Sequence, residues 1–376
     1  MHTPRYEYSK AKIRERISYL MGLSTPFGLT VRYALKANPH PEILQMMHES
    51  GVHFDASSSY EASELLALGI PGDHISLSSQ QSPHNLPELL EQGVLFVATS
   101  LKQLEQFLAI DAAIRPNTLA VRINPPVGHG HNNRTTTGGV NASFGIWHEY
   151  ADSVFSRTEK AGVKIDRMHI HIGSGADPKV WGDVMDNALR ITRQFRDVTS
   201  LDIGGGYKVR RYGEEEETDM EAVFQIFSEK LIAFSTETGR KLMLEIEPGT
   251  YAIAHAGTLV ATIDDIVDTG TEGNIFIRLN TGMNDFLRSA LYGARHEIEV
   301  VNNATTTTTY VVVGHNCESG DIFTPEEADP ERMEARELRT AAIGDEVRIS
   351  DVGAYCASMR ATGYNSFPDA SEIMVD

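Results

Sequence analysis

Cysteine is scarce in this chain of 376 residues, which contains only Cys317 and Cys356. Two thiols are too few for a disulfide framework, so a reducing compartment is expected. There is no run of 18 apolar residues and no apolar core in the N-terminal segment, which predicts neither a membrane span nor a secretory leader and favours a cytoplasmic enzyme. Basic residues are outnumbered, with 33 Lys and Arg against 52 Asp and Glu, and the net charge of −19 argues against nucleic acid or an anionic membrane as a partner.

The first 260 residues alternate between short, β-prone apolar runs and longer runs with helical spacing. Strands are predicted at 29–35, 52–56, 75–78, 95–98, 119–123, 168–172, 201–203 and 242–246. Helices are predicted at 41–49, 59–68, 86–92, 101–109, 149–161, 180–195 and 220–238. Eight strands, most of them separated by a helix, indicate an α/β protein whose parallel sheet closes into a (β/α)8 TIM-like barrel.

The pattern changes near residue 250. Runs rich in Thr, Val and Ile follow at 252–263, 274–279, 305–313, 346–349 and 372–375, and Gly, Asn and Asp clusters separate them. This predicts a mainly antiparallel β domain formed by residues 251–376 with 1–9, after a barrel that spans residues 10–250. The acidic segment 324–337 contains two prolines and is predicted to be an exposed loop.

The residues that close each barrel strand are the candidates for chemistry, because the active sites of such barrels lie at the C-terminal ends of the strands. Lys36 closes the first strand. Burial would lower its pKa and suit it to form a Schiff base, whereas a surface lysine is the simpler alternative. Asp55 and Arg122 close the second and fifth strands.

A run of glycines follows the seventh strand of the barrel, and a glutamate closes the eighth. Gly204–Gly206 comes after the seventh strand, where backbone N–H groups often bind phosphate, and Ser174 after the sixth strand adds a hydroxyl. Glu247 closes the eighth strand, where a carboxylate could keep a pyridine nitrogen protonated. His171 could lie against such a ring. The alternative is a metal, because His169 and His171 are two residues apart and could share a zinc ion.

Eight motifs, at these strand ends and in the second half of the chain, occur in the same order as in a known family. The chain resembles the pyridoxal-phosphate (PLP) dependent decarboxylases of the alanine-racemase-like fold, the group of ornithine, diaminopimelate and arginine decarboxylases, and it is most similar to the diaminopimelate branch. The motifs are YALKAN (33–38), HFDASS (53–58), HIGSG (171–175), DIGGG (202–206), EPG (247–249), LYGARHEI (291–298), CESGD (317–321) and DVGAY (351–355).

The resemblance implies a role for each matching residue. Lys36 would hold PLP as a Schiff base, and Cys317 would donate the proton after decarboxylation, from one subunit of a homodimer into the active site of the other. The implied cofactor-binding residues are Lys36, Asp55, Arg122, His171, Ser174, Gly204, Gly205, Gly206, Glu247, Gly249 and Tyr355. The implied contacts to the far end of an amino acid substrate are Arg288, Tyr292 and Glu318.

Three departures from the family pattern matter, and the first of them bears on the substrate. Thr250 follows the EPG motif where the family usually has Arg, a residue that helps to bind the distal carboxylate of diaminopimelate. The usual Ser-Lys-Phe-Gly run reads Ala-Ser-Phe-Gly at 142–145, and the chain begins near the family's Thr-Pro element at Thr3-Pro4. Diaminopimelate decarboxylation to lysine remains the expected reaction, with ornithine, lysine or a pathway-specific amino acid as alternatives.

Three other functions compete with decarboxylation. A PLP racemase would use the same scaffold but would need a tyrosine base opposite the lysine. A PLP-binding protein without turnover would generally lack the β domain. A zinc hydrolase would use His169 and His171, but it would leave Lys36 and Glu247 unexplained.

Overall fold

The computed structural model describes residues 2–126, 138–171 and 173–376. The chain opens with strand β1 (Arg5–Ser9) and helix α1 (Lys10–Gly22). The strands that follow in the first part of the chain are β2 (Leu29–Ala34), β3 (His53–Ala56), β4 (Ile75–Leu77), β5 (Leu95–Ala98), β6 (Thr118–Asn124), β7 (Ile146–Trp147), β8 (Lys164–His169), β9 (Ser200–Asp202) and β10 (Met243–Ile246).

Eight of these strands form a closed parallel barrel. Each strand from β2 to β6 pairs with the next, β6 pairs with β8, β8 with β9 and β9 with β10. The barrel closes where β10 pairs with β2, and the two-residue β7 adds to the edge of β6. The predicted barrel of eight strands is confirmed. The sixth strand, predicted at 168–172, begins four residues earlier, at Lys164, and ends at His169, and Ile172 lies outside the described residues.

Helices cover the outside of the barrel, as the spacing predicts. They are α2 (Pro41–Glu49), α3 (Ser59–Ala67), α4 (Leu86–Glu91), α5 (Leu101–Leu108), α6 (Ala151–Lys160), α7 (Pro178–Thr192) and α8 (Met220–Thr238). Apolar side chains on one face of each helix pack onto the strands, as Leu104 and Phe107 of α5 do. Among the described residues, no helix is both long and apolar enough to cross a membrane.

Helix α1 is a missed element, because its short apolar stripe is interrupted by charge. The Oγ of Ser9 accepts a hydrogen bond from the backbone N–H of Lys12 and caps the helix. Ile13, Ile17 and Leu20 then recur on one face and are buried. The stripe is narrow, and the polar N-terminal segment conceals it.

The second half of the chain forms the mainly antiparallel β domain that the sequence predicts. After the short helix α9 (Thr250–Ile253) come β11 (Gly257–Asp268), β12 (Ile275–Leu279), α10 (Arg288–Tyr292), β13 (Ile298–Val301), β14 (Thr307–Val313), β15 (Pro325–Glu326), β16 (Asp329–Met333), β17 (Arg336–Arg339), β18 (Glu346–Ser350) and β19 (Ser371–Val375). Its main sheet has the order β13-β18-β11-β12-β14-β17, and β1 joins it between β11 and β19.

Two local predictions in this half are wrong. The strand predicted from residue 252 begins only at Gly257, because Tyr251, Ala252 and Ile253 are all buried in α9, and a short run that is apolar on every side fits a helix as well as a strand. The segment 324–337 is not a loop: β15 pairs with β16, and Thr324 is buried. The Thr324 hydroxyl accepts a hydrogen bond from the backbone N–H of Val312, which ties the segment to the sheet.

Candidate active site

Lys36 lies in the 3-10 turn that follows β2, at the C-terminal mouth of the barrel. Its Nζ donates a hydrogen bond to the Ser57 Oγ at 3.3 Å and lies 3.9 Å from the Oδ2 of Asp55, at the end of β3. The Lys36 side chain is 46% exposed, whereas Asp55 is fully buried. The amine is therefore reachable from the mouth but anchored to a buried acid.

The expected lowering of the Lys36 pKa is wrong. Burial acts to lower the pKa of this amine, but Tyr355, Asp55 and Glu247 act to raise it and outweigh burial, so the net pKa is raised. The strand that carries Lys36 does not reveal these three groups, which come from other parts of the chain. Lys36 therefore carries its proton until a reacting partner removes it.

Glu247 follows β10 and is only 5% exposed. Its Oε2 lies 3.6 Å from the Nε2 of His169, and among the described residues its Oε1 has no hydrogen-bond partner. Burial, followed by the nearby carboxylates of Asp202 and Asp55, raises the pKa of Glu247 well above its usual value. A cationic group facing Oε1 would offset these effects.

Metal binding by the two predicted histidines finds no support in the structure. Within the described part of the chain, the group that could hold a metal ion joins His169 with Asp202 and Glu247, whose ligand atoms lie within 4.8 Å of one another, and it does not include His171. Asp202 is also engaged already, because its Oδ2 accepts a hydrogen bond from Arg167 at 2.5 Å. A cation in this group would have to compete with that guanidinium.

The turn after β9 has the geometry of a phosphate cradle. The Asp202 Oδ1 accepts a hydrogen bond from the Gly204 N–H, and the Gly204 carbonyl accepts one from the Glu247 N–H. Gly206 has a φ of +107°, and a Cβ there would lie 1.9 Å from the carbonyl oxygen of Gly173. Only glycine fits at this position, which keeps the backbone of the turn open to an anion.

The remaining predicted cofactor residues surround this turn. The ring of His171 packs against Gly204, and Ser174 lies beside Gly206. Burial lowers the pKa of His171 well below its usual value, and Arg122 and Lys36 act in the same direction, so its imidazole is neutral. A neutral, buried ring fits a stacking role.

Arg122, on β6, is buried at the same mouth. Its guanidinium lies 5.4 Å from the centre of the Phe144 ring, and its Nη2 has no hydrogen-bond partner among the described residues. Burial lowers the pKa of Arg122, while Glu247 and Asp55 act to raise it. The Arg122 guanidinium therefore interacts electrostatically with the carboxylates of both Glu247 and Asp55.

The β domain reaches the barrel mouth through Tyr355. Its backbone N–H donates a hydrogen bond to the Ala37 carbonyl at 2.8 Å, next to Lys36. Gly249 has no room for a side chain, because a Cβ there would lie 2.9 Å from the Tyr355 hydroxyl. Burial raises the pKa of Tyr355, while Lys36 and Arg288 act to lower it. Both positive charges therefore act on the phenol, one from the barrel and one from the β domain.

Arg288 and Tyr292, predicted to contact the substrate, are the first and last residues of α10. The Arg288 guanidinium carbon lies 5.9 Å from the centre of the Tyr292 ring. Among the described residues, the buried Arg288 Nε has no hydrogen-bond partner. The two side chains thus lie next to each other at the two ends of one short helix.

Comparison with known proteins identifies the family. Residues 11–254 match the family described as pyridoxal-dependent decarboxylase, pyridoxal binding domain. The chain is 33% identical to the diaminopimelate decarboxylase of Streptomyces coelicolor over 100% of its own length and 84% of that protein. The chain belongs to the pyridoxal-dependent decarboxylases. It is also 31% identical to the diaminopimelate decarboxylase of Escherichia coli strain K12, over 99% of this chain and 89% of that protein.

Solved structures agree with this family. The decarboxylase superposes on a crystal structure of diaminopimelate decarboxylase with a TM-score of 0.89 and 30% identity, over 99% of this chain and 88% of the other. It superposes on the diaminopimelate decarboxylase of Helicobacter pylori, complexed with L-lysine, with a TM-score of 0.88 and 27% identity, over 100% and 92% of the two chains.

One part of this decarboxylase escaped prediction: a set of buried charges one layer below the mouth, here called the interior charge cluster (Arg32, Arg167, Asp202 and Glu245). The Arg32 Nε and the Arg167 Nη2 lie 2.5 Å and 2.8 Å from the Oε2 of Glu245. Ser76 and Ser200 complete the network as hydrogen-bond partners of Arg167 and Glu245. A charged residue inside an apolar strand, as in LTVRYA, is the signal that could have found the cluster.

Cys317 and Glu318, the remaining predicted residues of the decarboxylase, are exposed on the β domain. The backbone N–H of Cys317 donates a hydrogen bond to the Oδ1 of Asn365, and the Tyr364 hydroxyl donates one to Glu318. Within the described part of the chain, no hydrogen bond or ion pair joins either residue to Lys36. Their roles remain predictions.

Proposed function

We propose that this chain uses PLP held by Lys36 to decarboxylate meso-diaminopimelate to L-lysine. The observation that carries the proposal is the barrel mouth itself, where Lys36 faces Asp55 and where Glu247 and His171 each have a buried polar atom without a hydrogen-bond partner among the described residues. Full-length similarity to proteins named diaminopimelate decarboxylase supports the choice of substrate.

The residues present at the mouth fit PLP. Lys36 would hold its aldehyde carbon, the backbone of Gly204, Gly205 and Gly206 with Ser174 and Tyr355 would hold its phosphate, and His171 would lie against its ring. When bound, PLP supplies an electron sink for the pair of electrons left behind when CO2 departs. The unpartnered Oε1 of Glu247 would accept a hydrogen bond from the ring nitrogen.

Burial of Glu247 explains why a carboxylate suits this position. Without a cationic neighbour at Oε1, its raised pKa favours the protonated acid. Glu247 and the ring nitrogen that would face it can therefore share one proton. The nearby carboxylates of Asp202 and Asp55 also favour a positive charge at this end of the site. Asp55 and Arg122 would support the site by fixing Lys36 and the charge balance around it.

The final proton would come from Cys317 of a second copy of the chain. The thiol would transfer its proton to the carbon that has lost CO2, and Glu318 would contact the substrate from the same loop. Both residues are exposed on the β domain, where a second copy of the chain could reach them, and the homodimer with shared sites is what the family resemblance implies. Arg288 and Tyr292 would contact the far end of the substrate from the first subunit.

The test is CO2 release by the PLP-loaded protein from a panel of meso-diaminopimelate, L-lysine, D-lysine, L-ornithine, D-ornithine and L-arginine. We expect release from meso-diaminopimelate and formation of L-lysine. Preference for ornithine or lysine would overturn the choice of substrate. Failure to bind PLP, seen as no absorbance band at about 420 nm that borohydride removes, would overturn the whole proposal.

A further inference from the structure

The loop 317–320, which carries the proposed proton donor Cys317, is flanked by two buried residues that bond to each other. The Asp321 Oδ2 accepts hydrogen bonds from the backbone N–H of Asn316 at 2.8 Å and from the Asn316 Nδ2 at 2.9 Å. The Asp321 Oδ1 accepts a third bond, from the backbone N–H of Met283 at 2.7 Å. Both ends of the loop are therefore fixed by buried hydrogen bonds, whereas Cys317 itself is exposed.

The peptide group that joins Asn316 to Cys317 has hydrogen bonds at both of its polar atoms. The Asn316 carbonyl accepts one from the backbone N–H of Glu318 at 2.8 Å. The Cys317 N–H donates the other to the Oδ1 of Asn365 at 2.7 Å. Because the group is planar, these two bonds fix the Cα from which the thiol side chain of Cys317 extends. Asn365 supplies the part of this restraint that comes from outside the loop.

The turn that carries Asn365 has an unusual backbone. Asn365 has a φ of +50° and Ser366 a φ of +60°, and both residues are exposed. Residues other than glycine rarely adopt this left-handed conformation, and Asn and Asp tolerate it better than most. A strained backbone persists only where surrounding contacts require it. Position 365 thus combines a left-handed backbone with a side-chain acceptor, a combination that glycine lacks.

An aromatic contact attaches this turn to the base of the loop. The ring of Phe367 stacks on that of His315, with the ring centres 3.6 Å apart and an angle of 10° between the planes. The His315 Nε2 lies 2.9 Å from the Oδ1 of the buried Asn284. Phe367 is two residues after Asn365, and His315 is two residues before Cys317. The stacked pair therefore holds the two segments together beside the bond between Asn365 and Cys317.

The bond from Cys317 to Asn365 is a poor source of folding stability, because both residues are exposed and water can replace either partner. What the bond changes is local, namely the position of the backbone that carries the thiol. A second contact acts on the next residue of the loop, where the Tyr364 hydroxyl donates a hydrogen bond to the Glu318 Oε2 at 3.3 Å. Two consecutive residues of the turn thus hold two consecutive residues of the loop.

We infer that Asn365 is a positioning residue for the proton transfer: it holds Cys317 where its thiol can reach the carbon that has lost CO2 in the second subunit. The inference rests on the proposed function, in which Cys317 is the proton donor, and it deepens that function. Asn365 transfers no proton itself and acts only through Cys317. A displacement of a reacting group by about 1 Å is enough to slow a reaction severely.

The test separates the acceptor of Asn365 from its backbone conformation. Asn365→Gly keeps a residue that adopts a positive φ freely but removes the acceptor, whereas Asn365→Asp keeps an acceptor. Formation of L-lysine from meso-diaminopimelate is measured with the PLP-loaded protein. We expect Asn365→Gly to lower kcat by about 10-fold and to change KM by less than about threefold, and Asn365→Asp to keep kcat within about threefold of wild type.

Ser366→Gly is the matched control, because Ser366 is the neighbouring left-handed residue of the same turn. It should have the kcat of the wild type. A loss of kcat in Ser366→Gly as large as in Asn365→Gly, or an equal loss in Asn365→Asp and Asn365→Gly, would overturn the role of the acceptor.

Hydrogen exchange gives a measurement that does not depend on activity. In protein stripped of PLP, exchange is followed by mass spectrometry of peptides that contain Cys317. We expect the Cys317 amide to exchange about 10-fold faster in Asn365→Gly than in wild type, because its acceptor is gone, and at the wild-type rate in Ser366→Gly. Unchanged exchange in Asn365→Gly would overturn the inference.

A double variant decides whether Asn365 acts through Cys317. In Cys317→Ala protein, Asn365→Gly should cause no further loss of kcat, because the group that Asn365 positions is already absent. A further loss of about 10-fold, or a wild-type kcat in Asn365→Gly alone while Cys317→Ala is slow, would overturn the inference and leave the proposed function standing. Full turnover by Cys317→Ala would instead overturn the proton donor of the proposed function, and the role of Asn365 with it.

Discussion

Two layers of charged side chains lie inside the barrel, and they differ in how their charges are neutralised. In the interior charge cluster every charge has an opposite charge within 2.8 Å. In the layer above it, at the mouth, Lys36 lies 3.9 Å from Asp55, and Glu247 keeps one oxygen without a partner among the described residues. The lower layer is neutralised by the protein itself, whereas the upper layer has polar atoms left over for a ligand.

Glu245 and Glu247 show the difference on one strand end. They are two residues apart and so point to the same side, into the barrel. Burial acts to raise the pKa of Glu245, but Arg167 and Arg32 outweigh it and lower that pKa to about 2. The pKa of Glu247 is raised well above its usual value by burial, Asp202 and Asp55. Neighbouring charge, not burial, separates a structural acid from a candidate functional one.

The largest expected effect comes from breaking the upper layer at Lys36. Lys36→Ala should reduce CO2 release by at least about 10³-fold, because the covalent holder of the cofactor and a positioned amine are both lost. The free energy of unfolding should hardly change, because the side chain is half exposed. CO2 assays and denaturant titrations on the same preparation measure both.

Lys102→Ala, at an exposed position on α5, is the control for that variant and should retain full activity. Retention of the borohydride-sensitive absorbance band in Lys36→Ala would refute the assignment of Lys36.

The next largest effect should come from a substitution in the lower layer, and it should be a loss of folding stability. Arg167→Met removes the cation shared by Asp202 and Glu245 and leaves two buried carboxylates short of a partner. We expect a loss of about 3–5 kcal/mol in the free energy of unfolding, measured by denaturant titration. The double variant Arg167→Met with Glu245→Met should lose less than the two single variants together. Strict additivity would show that the pair is not coupled.

Sequence alone predicts the upper layer far better than the lower. Lys36, Asp55, Glu247 and Gly204–Gly206 all occur where strands end, so barrel geometry predicts that they converge. The pairing of Arg32 with Glu245 connects residues that are 213 positions apart, and nothing local to either strand indicates it. A single charged residue in an apolar strand fits an exposed edge position as well as it fits a buried ion pair.

The same limit applies to the substrate end of the site. Arg288 and Tyr292 are predicted by motif, but the short helix that has them as its first and last residues is not. The bias of Lys36 toward the protonated state was likewise hidden, because the acids that cause it come from other strands and from the β domain.

Acid titration should sharpen the contrast through Glu245. Its folded pKa of about 2 is below the usual 4.5, so its contribution to stability is fully present above about pH 4.5 and is lost as the pH falls toward 2. Glu245→Gln should therefore be about 3 kcal/mol less stable than wild type at pH 6, and this difference should shrink to nothing near pH 2. Parallel stability curves for the two proteins from pH 6 to pH 2 would contradict this.

Glu247→Gln should change the free energy of unfolding by less than Glu245→Gln does, and in the opposite direction. Its folded pKa is raised, so the protonated carboxyl stabilises the fold below about pH 4.5, and that stabilisation is lost as the pH rises through the folded pKa. In protein stripped of PLP, Glu247→Gln should therefore be at least as stable as wild type at pH 7, where Glu245→Gln is less stable.

Addition of PLP should reverse the order of stability of Glu247→Gln and wild type, because a cationic ring nitrogen would stabilise the ionised carboxylate and not the amide. Thermal melting of the two proteins with and without PLP measures this. If both glutamine variants shift in the same direction, burial alone governs the two acids, and the distinction between a self-neutralised layer and a ligand-binding layer fails.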